Sequence, residues 1–600
     1  MEALISVIRS NLHTLQIIWL CVLACLMTWM TSRYRKAAGS TAELAMILLC
    51  STILLFSDLG STRFPSSTWQ PSAGDQYVVL SLDQDTHFDS IYAIYGEGDN
   101  NALDSDYQMG FRGIYLYGSN GSSDWEEIGQ LDEETRIYRY SILNGDWNYR
   151  YLMVYCTDPL STISEIGVKA SGQNRFLPLS INLDPYADSA YPGTLLIDEQ
   201  DTLSTDPSYM NESFFDEVYH VRNAWEIQAK QRMYSHVHPL VGTGIIAASI
   251  RVFGMNPFAW RFPGAVCGVL MIWVMYRILC TLLQNKDHAV LGTFFLAVEF
   301  MHMTTSRIGT LEPFSVLFIL CMYLYMIRYV CVDHTADDIG ALRKNLLLSG
   351  IFTGLAIAVK WTGCYSAVGL AIIFFSTMYR DFRSMDRSAF RVLYRQIIPF
   401  CVLCYIIIPL TIYFVSYLPT PAFTDGWSVR NVLEQIRYSY HYHSTLTSDH
   451  PYQSHWYEWL LDLRPVWYYV GHERTGLMRT IACFNNPVVA VGGLVCVLIC
   501  TIQAIMKKDR IPGLIAVGYW SALLPWVLVS RTTFSYHYYP ASVFLCMALA
   551  WVFSKHPKAG KYTAAAACIL FVLFLPVLCG FPSSEHWLHF LEWMPDWYWG

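Results

Sequence analysis

The chain has 600 residues, of which 54% are hydrophobic and only 15% are charged, and its formal net charge is -8. Soluble domains carry about a quarter charged residues, so this composition excludes an ordinary soluble globular protein. A chain this apolar needs lipid as part of its solvent, and we expect no nucleic-acid partner.

Apolar segments near the ~20 residues needed to cross a bilayer recur along most of the chain. Their length predicts an α-helical polytopic membrane protein with about twelve transmembrane helices. The predicted spans are Leu15 to Met30, Thr41 to Phe56, Ala259 to Leu283, Ala289 to Thr305, Pro313 to Val332, Leu346 to Val359, Gly363 to Met378, Ile397 to Leu418, Pro487 to Met506, Ile511 to Val529, Tyr538 to Phe553 and Tyr562 to Leu578.

Lysine and arginine residues cluster in short loops between these spans and set the expected orientation. The clusters are Arg33, Arg35 and Lys36; Arg343 and Lys344; Arg380, Arg383, Arg387, Arg391 and Arg395; Lys507, Lys508 and Arg510; and Lys555, Lys558 and Lys561. The positive-inside bias places such loops in the cytoplasm, so both termini are expected outside, with the first span the least constrained. No cleavable signal pattern is recognised, because a basic turn and a second span follow the first span at once.

The region between Phe56 and His238 has no segment long and apolar enough to span, so we expect all of it on the extracytoplasmic side. After an N-terminal transmembrane hairpin (1–60), residues 61–175 contain β-branched and aromatic runs such as VVLSL, GFRGIYLYGS and YRYLMVYC, separated by turn residues. These runs predict an inserted β-sandwich. Its strand order resembles discoidin-like, carbohydrate-binding sandwiches, and a spacer role and glycan binding are equal alternatives for it.

Residues 176–210 are rich in Pro, Asp and Ser and predict a connector to a membrane domain over 211–600. We expect two outer loops in this domain, 211–258 and 419–486. The first loop is half polar and half amphipathic, which favours helices lying at the membrane interface. The second is dense in Tyr, Trp and His, which suits an interfacial aromatic belt and equally suits stacking against a sugar.

Asp216 and Glu217 are adjacent carboxylates in the segment SFFDEVYHVRNAWE. Neighbouring carboxylates among hydrophobic residues raise each other's proton affinity, which makes an acid or base usable near neutral pH. An aspartate at a helix start is more often a cap, so capping is the competing interpretation of this pair taken alone.

Three cations fall at the outer ends of predicted spans: Arg307 in TTSRIGTLEPF, Lys360 in GLAIAVKWTG and Arg531 in PWVLVSRTTFSYHYYP. Together they could clasp a lipid-linked phosphate. The alternative is that each snorkels to the interface, which is ordinary behaviour for a long cationic side chain at a membrane boundary.

A set of motifs resembles one enzyme family. FFDEVYHVRNAWE is followed in order by HPLVGTGIIAASIRVFGMNPFAWRFPGAVCGVL, SRIGTLEPF, AVKWTG, YHSTLTSDHPYQSHWYEW and PWVLVSRTTFSYHYYP. This order, from about Phe214 to the end of the chain, resembles the protein O-mannosyltransferase family (glycosyltransferase family 39) in its bacterial form. The resemblance implies a C-type glycosyltransferase (GT-C) fold, a bacterial plasma membrane and a site on the extracytoplasmic side.

The resemblance also implies roles for individual residues. Asp216 is expected to remove the proton from an acceptor hydroxyl, with Glu217 supporting it, while Arg307, Lys360 and Arg531 stabilise the phosphate of a polyprenyl-phosphate sugar. The expected site-lining residues are His238, Glu312, Trp361, Tyr536 and His537. The implied reaction inverts the anomeric carbon and needs no metal or cofactor, since fixed cations neutralise the leaving group. The expected partners are the lipid-linked donor, a protein or glycan acceptor and membrane lipid.

Two motifs depart from the family pattern. The family's HPPLGK is HPLVGT here, with Leu240 and Thr243 in place of the second proline and the lysine, and SRIGTLEP has Glu312 where related sequences usually have Asp. These changes leave donor and acceptor identity open. A GT-C transferase that modifies a lipid or cell-wall glycan is therefore an alternative to transfer of mannose onto protein Ser/Thr hydroxyls.

Two further alternatives are weaker. The histidines of the outer segments match no zinc-site spacing; they are His238, His441, His443, His450 and His455. A transporter or sensor with an outer glycan-binding domain should have charged groups near the middle of several spans, yet Glu299 is the main buried acid that the sequence predicts.

Overall fold

The structure is a computed structural model that describes residues 40–98, 111–121, 124–132, 134, 136–235, 237–335, 337–418, 426–446, 450–473 and 476–600. The predicted span from Leu15 to Met30 lies outside these residues. The helices are α1 (Ser40–Phe56), α2 (Glu217–Ala229), α3 (Val241–Phe253), α4 (Pro257–Leu283), α5 (Lys286–Ala297), α6 (Phe300–Thr305), α7 (Glu312–Cys331), α8 (Ile339–Val359), α9 (Thr362–Ser384), α10 (Arg387–Val402), α11 (Ile408–Val415), α12 (Val429–Thr445), α13 (Pro487–Lys507), α14 (Arg510–Leu523), α15 (Tyr539–Lys555), α16 (Pro557–Cys579) and α17 (Glu585–Phe590).

Eight helical segments of the described residues are long and apolar enough to cross a membrane. They are α4, α7, α8, α9, α13, α16, the continuous segment Arg387–Val415 and the segment Arg510–Leu528. The protein is therefore an integral membrane protein, but the predicted count of about twelve spans is not confirmed.

Three of the predicted spans are helices in the structure that are shorter than the eight candidate membrane spans. The predicted spans at Thr41 and Tyr538 are the 17-residue helices α1 and α15. The span predicted from Ala289 is interrupted at Glu299, whose carboxylate accepts hydrogen bonds from the backbone N–H groups of His302 (2.8 Å) and Asn486 (3.0 Å). A side chain that caps the start of α6 ends the preceding helix, and apolar content alone does not reveal it.

The interior of the membrane domain is built around α7 and α15. Every residue of α15 from Tyr539 to Trp551 is buried, and most of α7 is buried as well. The segment Arg387–Val415 is the least buried of the eight, because only 22% of its most apolar 18-residue stretch is buried. It joins α10 to α11 through a π-helical turn, Leu403–Ile407. We infer that lipid covers most of this segment.

The inserted domain is one antiparallel sheet of β1 (Gln76–Ile94), β2 (Ile114–Ser119), β3 (Glu126–Gln130), β4 (Tyr140–Cys156), β5 (Glu165–Lys169) and β6 (Ser180–Leu183). The strand order is β3-β2-β4-β1-β5, and β6 pairs with β1. Strands β1 and β4 pair along nearly their whole length, with register shifts between Ser81 and Thr86 and between Phe88 and Ser90.

The sheet differs from the predicted sandwich in three respects. All six described strands are hydrogen-bonded into one connected sheet instead of two separate ones. Runs predicted as separate strands merge into β1 and β4, because the backbone pairing continues across the polar residues between them. Strand β6 falls within the predicted connector, so the sheet extends beyond residue 175. The discoidin-like character of the domain stays a prediction.

The sheet domain packs directly against the membrane domain. The rings of Tyr138 and Trp260 stack at 5.8 Å, and Phe64 meets both edge-on. Glu97, three residues after the end of β1, forms a buried ion pair with Arg222 of α2 (3.0 Å). The second outer segment contributes α12 and a hairpin of β7 (Val466–His472) and β8 (Met478–Cys483). The ion pair of Glu97 with Arg222 links the sheet domain to α2, which begins at the predicted acidic pair.

Candidate active site

A cavity of about 430 Å³ opens between α2, α3, α12 and the segment that precedes α15. Its lining residues are Asp216, Tyr219, His220, Asn223, Tyr234, Ser235, Val237, His238, Thr243, Lys360, Tyr438, Tyr442, His443, Leu446, Arg531, Phe534, Tyr536 and His537. The cavity is thus bounded by aromatic rings, neutral polar groups, one carboxylate and two cations.

Asp216 immediately precedes the first residue of α2. Its side chain accepts no capping hydrogen bond, although the residue stands at the cap position. The capping interpretation is therefore wrong for this side chain, which lines the cavity instead. Burial raises the pKa of Asp216 to about 7; the negative charge of Glu312 adds to the rise and Lys360 opposes it. A carboxyl group with a pKa near 7 readily takes up and releases a proton near neutral pH.

Glu217 points away from the cavity, although it follows Asp216 directly. Its carboxylate forms a two-point ion pair with Arg261 (2.7 Å to Nε and 2.8 Å to Nη2) and accepts a hydrogen bond from the backbone N–H of Gly309 (2.9 Å). Both side chains of the pair are fully buried. Glu217 does not line the cavity; it anchors the loop before α2 to α4 and to the SRIGT segment, and its predicted support of Asp216 stays a prediction.

Lys360 lies between α8 and α9 in an extended conformation. Its ammonium group forms an ion pair with Glu312, the first residue of α7, and lies 5.4 Å from the centroid of the Tyr536 ring. Lys360 is 9% exposed and lines the cavity, so it does not snorkel away from the protein. Glu312 does not line the cavity, but its ion pair holds Lys360 in the cavity wall.

Arg531 is the second cation of the cavity wall. Its guanidinium donates to the carbonyl oxygen of the adjacent Thr532 (3.2 Å). No carboxylate in the described part of the chain forms an ion pair with it, and it remains half-buried. Arg531 therefore has donor groups available for an anion that enters the cavity.

Arg307 does not line the cavity, and its predicted role at the phosphate stays a prediction. Its guanidinium donates to the carbonyl oxygens of Leu54 (2.6 Å), Leu55 (3.0 Å) and Asp58 (3.1 Å) at the end of α1. A cation at a helix C-terminus satisfies carbonyls that have no partner within the helix. Arg307 is accordingly a structural link between α1 and the membrane domain.

Four histidines surround the carboxylate and the cations. The ring of His238 lies 5.9 Å from His220 and 5.0 Å from His443, and His537 stacks on Tyr536 at 4.5 Å. Burial lowers the pKa of His220 and of His443 to about 4, and it also lowers the pKa of His238 and of His537 well below the usual value of a histidine. They are neutral at physiological pH and act as hydrogen-bonding groups. The described residues contain no group of three or more His, Cys, Asp or Glu side chains arranged to hold a metal ion.

Trp361, a predicted lining residue, stands just behind the wall. Its indole N–H donates to the hydroxyl of Tyr413 (3.3 Å), and its ring meets His443 edge-on at 6.1 Å. Trp361 thus packs against a lining histidine and does not line the cavity itself.

Three lining residues on α2 were not predicted from the sequence, namely Tyr219, His220 and Asn223. Helical spacing was the available signal. Residues three, four and seven positions after Asp216 lie on the same face of a helix that begins there. Thr243, by contrast, was identified only as a departure from a motif, and it proves to be a wall of the cavity.

Two family models match this chain. Residues 237–405 match a model described as dolichyl-phosphate-mannose-protein mannosyltransferase. Residues 429–597 match a model described as the C-terminal four-span region of protein O-mannosyltransferase. Together the matches span more than half of the chain and include most of the cavity wall.

Similar proteins support the same family. The chain is 22% identical over 469 residues to a polyprenol-phosphate-mannose–protein mannosyltransferase of Mycolicibacterium smegmatis, covering 65% of this chain and 89% of that protein. It is 22% identical to the equally named protein of Mycobacterium tuberculosis, covering 64% and 86%. The protein O-mannosyltransferase Pmt1-Pmt2 complex of Saccharomyces cerevisiae bound to the sugar donor has a TM-score of 0.56 at 12% identity, covering 65% and 89%, and this shows a shared fold. The chain therefore belongs to the protein O-mannosyltransferase family, in its bacterial form, and is a membrane glycosyltransferase of the GT-C fold with an inserted sheet domain.

Proposed function

We propose that this protein transfers mannose from polyprenyl-phosphate mannose to Ser/Thr hydroxyls of proteins on the outer face of a bacterial plasma membrane. The observation that carries the proposal is the cavity in which Asp216, with a pKa of about 7, shares the wall with Lys360 and Arg531. One base beside two cations is what glycosyl transfer from a lipid phosphate requires.

Asp216 acts as the general base. Its carboxylate takes the proton of the acceptor hydroxyl while the hydroxyl oxygen attacks the anomeric carbon. The bond from that carbon to the phosphate oxygen breaks, and the products are the glycoside, polyprenyl phosphate and protonated Asp216. Attack from the face opposite the phosphate inverts the configuration at the anomeric carbon.

Lys360 and Arg531 stabilise the departing phosphate. The donor phosphate carries one negative charge and gains a second when the sugar leaves, so the cations contribute most in the transition state. Arg531 has no carboxylate partner among the described residues, and Lys360 is held beside the cavity by Glu312. Fixed cations in these positions make a metal ion dispensable for the proposed reaction.

The aromatic side chains of the cavity suit the remaining substrate groups. Tyr219 and Tyr234 stack at 6.2 Å with nearly parallel rings, Tyr442 also lines the cavity, and all three are partly exposed. Exposed aromatic faces bind the apolar face of a sugar and leave hydroxyls to the neutral histidines. We assign them to the sugar and the acceptor segment.

The charge distribution supports an extracytoplasmic cavity. Lys360 joins the end of α8 to the start of α9, whereas the clusters Arg343 to Lys344 and Arg380 to Arg383 lie at the other ends of these two helices. Since basic loops favour the cytoplasm, the cavity faces the opposite side.

The test is transfer of labelled mannose from polyprenyl-phosphate mannose by the purified full chain in the presence of a chelator, with a Ser/Thr-rich peptide, a lipid and a cell-wall glycan as separate acceptors. We expect mannose to be transferred to the peptide, and we expect this transfer to continue in the presence of the chelator. Transfer to the lipid or glycan alone would assign the chain to the alternative acceptor class. No transfer from any polyprenyl-phosphate sugar by folded protein would contradict the proposed function altogether.

A further inference from the structure

A second cavity lies far from the active site, where α9 ends and α10 begins. Its volume is about 650 Å³, and its walls include Phe382, Arg387, Phe390, Arg391, Tyr394 and Arg395. Lys360 and this cavity are separated by the whole of α9, or ~35 Å for its 23 residues at 1.5 Å per residue. The two sites therefore lie on opposite sides of the membrane domain.

The three arginines of this basic groove form one stripe. Arg387, Arg391 and Arg395 are spaced by four residues, which places them on the same face of α10. All three are exposed, and no carboxylate of the described residues forms an ion pair with any of them. Like charges at this spacing repel each other, so the stripe is most stable when an anion lies between the guanidinium groups.

The nearby carboxylates are engaged elsewhere. Asp386 accepts hydrogen bonds from the backbone N–H groups of Ser388 (2.9 Å) and Ala389 (3.4 Å) at the start of α10. Asp381 accepts from the hydroxyl of Tyr394 (2.7 Å) and forms an ion pair with His334. The positive charge of the stripe is therefore not neutralised by the acids closest to it.

The floor of the groove is aromatic and continues into an apolar surface. Phe390 stacks on Tyr394 at 4.5 Å and meets Phe382 edge-on at 5.3 Å. Beyond these rings the groove reaches Ile398, which is 49% exposed, and Pro399. The same helix continues along the sparsely buried segment Arg387–Val415, so the cationic end of the groove runs into a surface that faces lipid chains.

We propose that the basic groove binds an anionic phospholipid of the cytoplasmic leaflet, with the phosphate held by Arg387, Arg391 and Arg395 and an acyl chain lying over Phe390 and Ile398. Guanidinium groups bind phosphate oxygens through paired charge-assisted hydrogen bonds, and basic pockets at the cytoplasmic ends of transmembrane helices suit lipid headgroups. An isolated basic loop that only obeys the positive-inside bias needs no aromatic floor. The groove is independent of the proposed reaction.

The test is native mass spectrometry of the purified full chain after exchange into detergent that contains phosphatidylglycerol or phosphatidylcholine. The triple variant Arg387→Gln, Arg391→Gln and Arg395→Gln is compared with a matched variant, Lys507→Gln, Lys508→Gln and Lys558→Gln, which removes the same charge from exposed positions outside the groove. We expect wild type to retain phosphatidylglycerol selectively, the groove variant to retain it about 100-fold less, and the matched variant to retain it as wild type does.

Three further outcomes would overturn the inference. Equal losses in both triple variants would show that net charge alone attracts the lipid. Displacement of phosphatidylglycerol by inorganic phosphate at equal concentration would show an anion site without a lipid component, and preferential retention of polyprenyl phosphate would assign the groove to the carrier. The variant Phe390→Ala separates these cases, since it should weaken lipid retention while leaving all three arginines in place. Thermal unfolding of each variant establishes that the protein compared is folded.

Discussion

The cavity around Asp216 and the buried clamp, which is the ion pair of Glu217 with Arg261, contain adjacent acidic residues that differ in their electrostatic surroundings. In the cavity, Asp216 has no direct cationic partner among the described residues and its pKa is raised to about 7. In the clamp, Glu217 is held by Arg261 through two short contacts and is fully buried. Consecutive residues at a helix start point about 100° apart, so one acid reaches the cavity and the other reaches the protein interior. Proximity in sequence is therefore a poor guide to a shared role.

The largest effect is expected on the transfer rate when Asp216 in the cavity wall is replaced. Replacing Asp216 by asparagine removes the base while keeping the size and polarity of the side chain. We expect the transfer rate to fall by about 10² to 10⁴, the usual contribution of a general base, with no loss of thermal stability. Initial rates of mannose transfer and thermal unfolding in the same detergent measure both quantities. A variant that retains wild-type activity would remove Asp216 from the mechanism.

The next largest effect is expected from breaking the clamp, the ion pair of Glu217 with Arg261. Glu217→Gln leaves Arg261 buried without its partner, and breaking a buried ion pair costs about 3–5 kcal/mol. We expect a clear fall in the free energy of unfolding and in the yield of folded protein. Arg261→Met should destabilise at least as much, because the guanidinium also donates to the carbonyl oxygens of Leu59, Tyr209 and Glu212. Chemical denaturation measures both variants, and unchanged stability in Glu217→Gln would contradict the structural role.

Arg531 and Arg307 allow a matched comparison, in which the expected effects are smaller than those for the two acids. Arg531→Gln should raise KM for the donor or lower kcat by about 10- to 100-fold, the effect of a hydrogen bond to a charged group. Arg307→Gln should instead lower the unfolding temperature, because it leaves carbonyls at the end of α1 without donors, and should leave KM for the donor unchanged. Steady-state kinetics, corrected for the folded fraction of each variant, distinguish a role in donor binding from a structural role. The reverse pattern would restore Arg307 to the phosphate site.

The smallest effect is a dependence on pH. Because Asp216 must be deprotonated to act as base and its pKa is about 7, the rate should fall below pH 7 and reach a plateau above it. Its folded pKa lies above the ~3.9 of an unfolded aspartate, so the folded state binds more protons in this range. Its contribution to stability is therefore present at low pH and is lost as pH rises from about 4 through 7. Unfolding temperatures from pH 5 to 8 should fall less in Asp216→Asn than in wild type.

The sequence predicted most of the membrane helices and the inserted sheet, because length, hydropathy and β-branched runs are local properties. It also selected Asp216, Lys360, Arg531, His238, Tyr536 and His537, which the structure brings to one cavity. It could not separate Arg531 from Arg307, since both are cations at the ends of apolar segments. The difference comes from carbonyls about 250 residues away from Arg307 in sequence, and no local pattern contains that contact.

The most direct measurement compares the rate of mannose transfer per folded molecule in wild type, Asp216→Asn and Glu217→Gln. We expect Asp216→Asn to fold normally and to lose at least about 100-fold in rate, and we expect Glu217→Gln to give less folded protein but to retain a higher rate in the molecules that fold. A stable, inactive Glu217→Gln together with an active Asp216→Asn would contradict this expectation, and would place the chemistry on the buried acid.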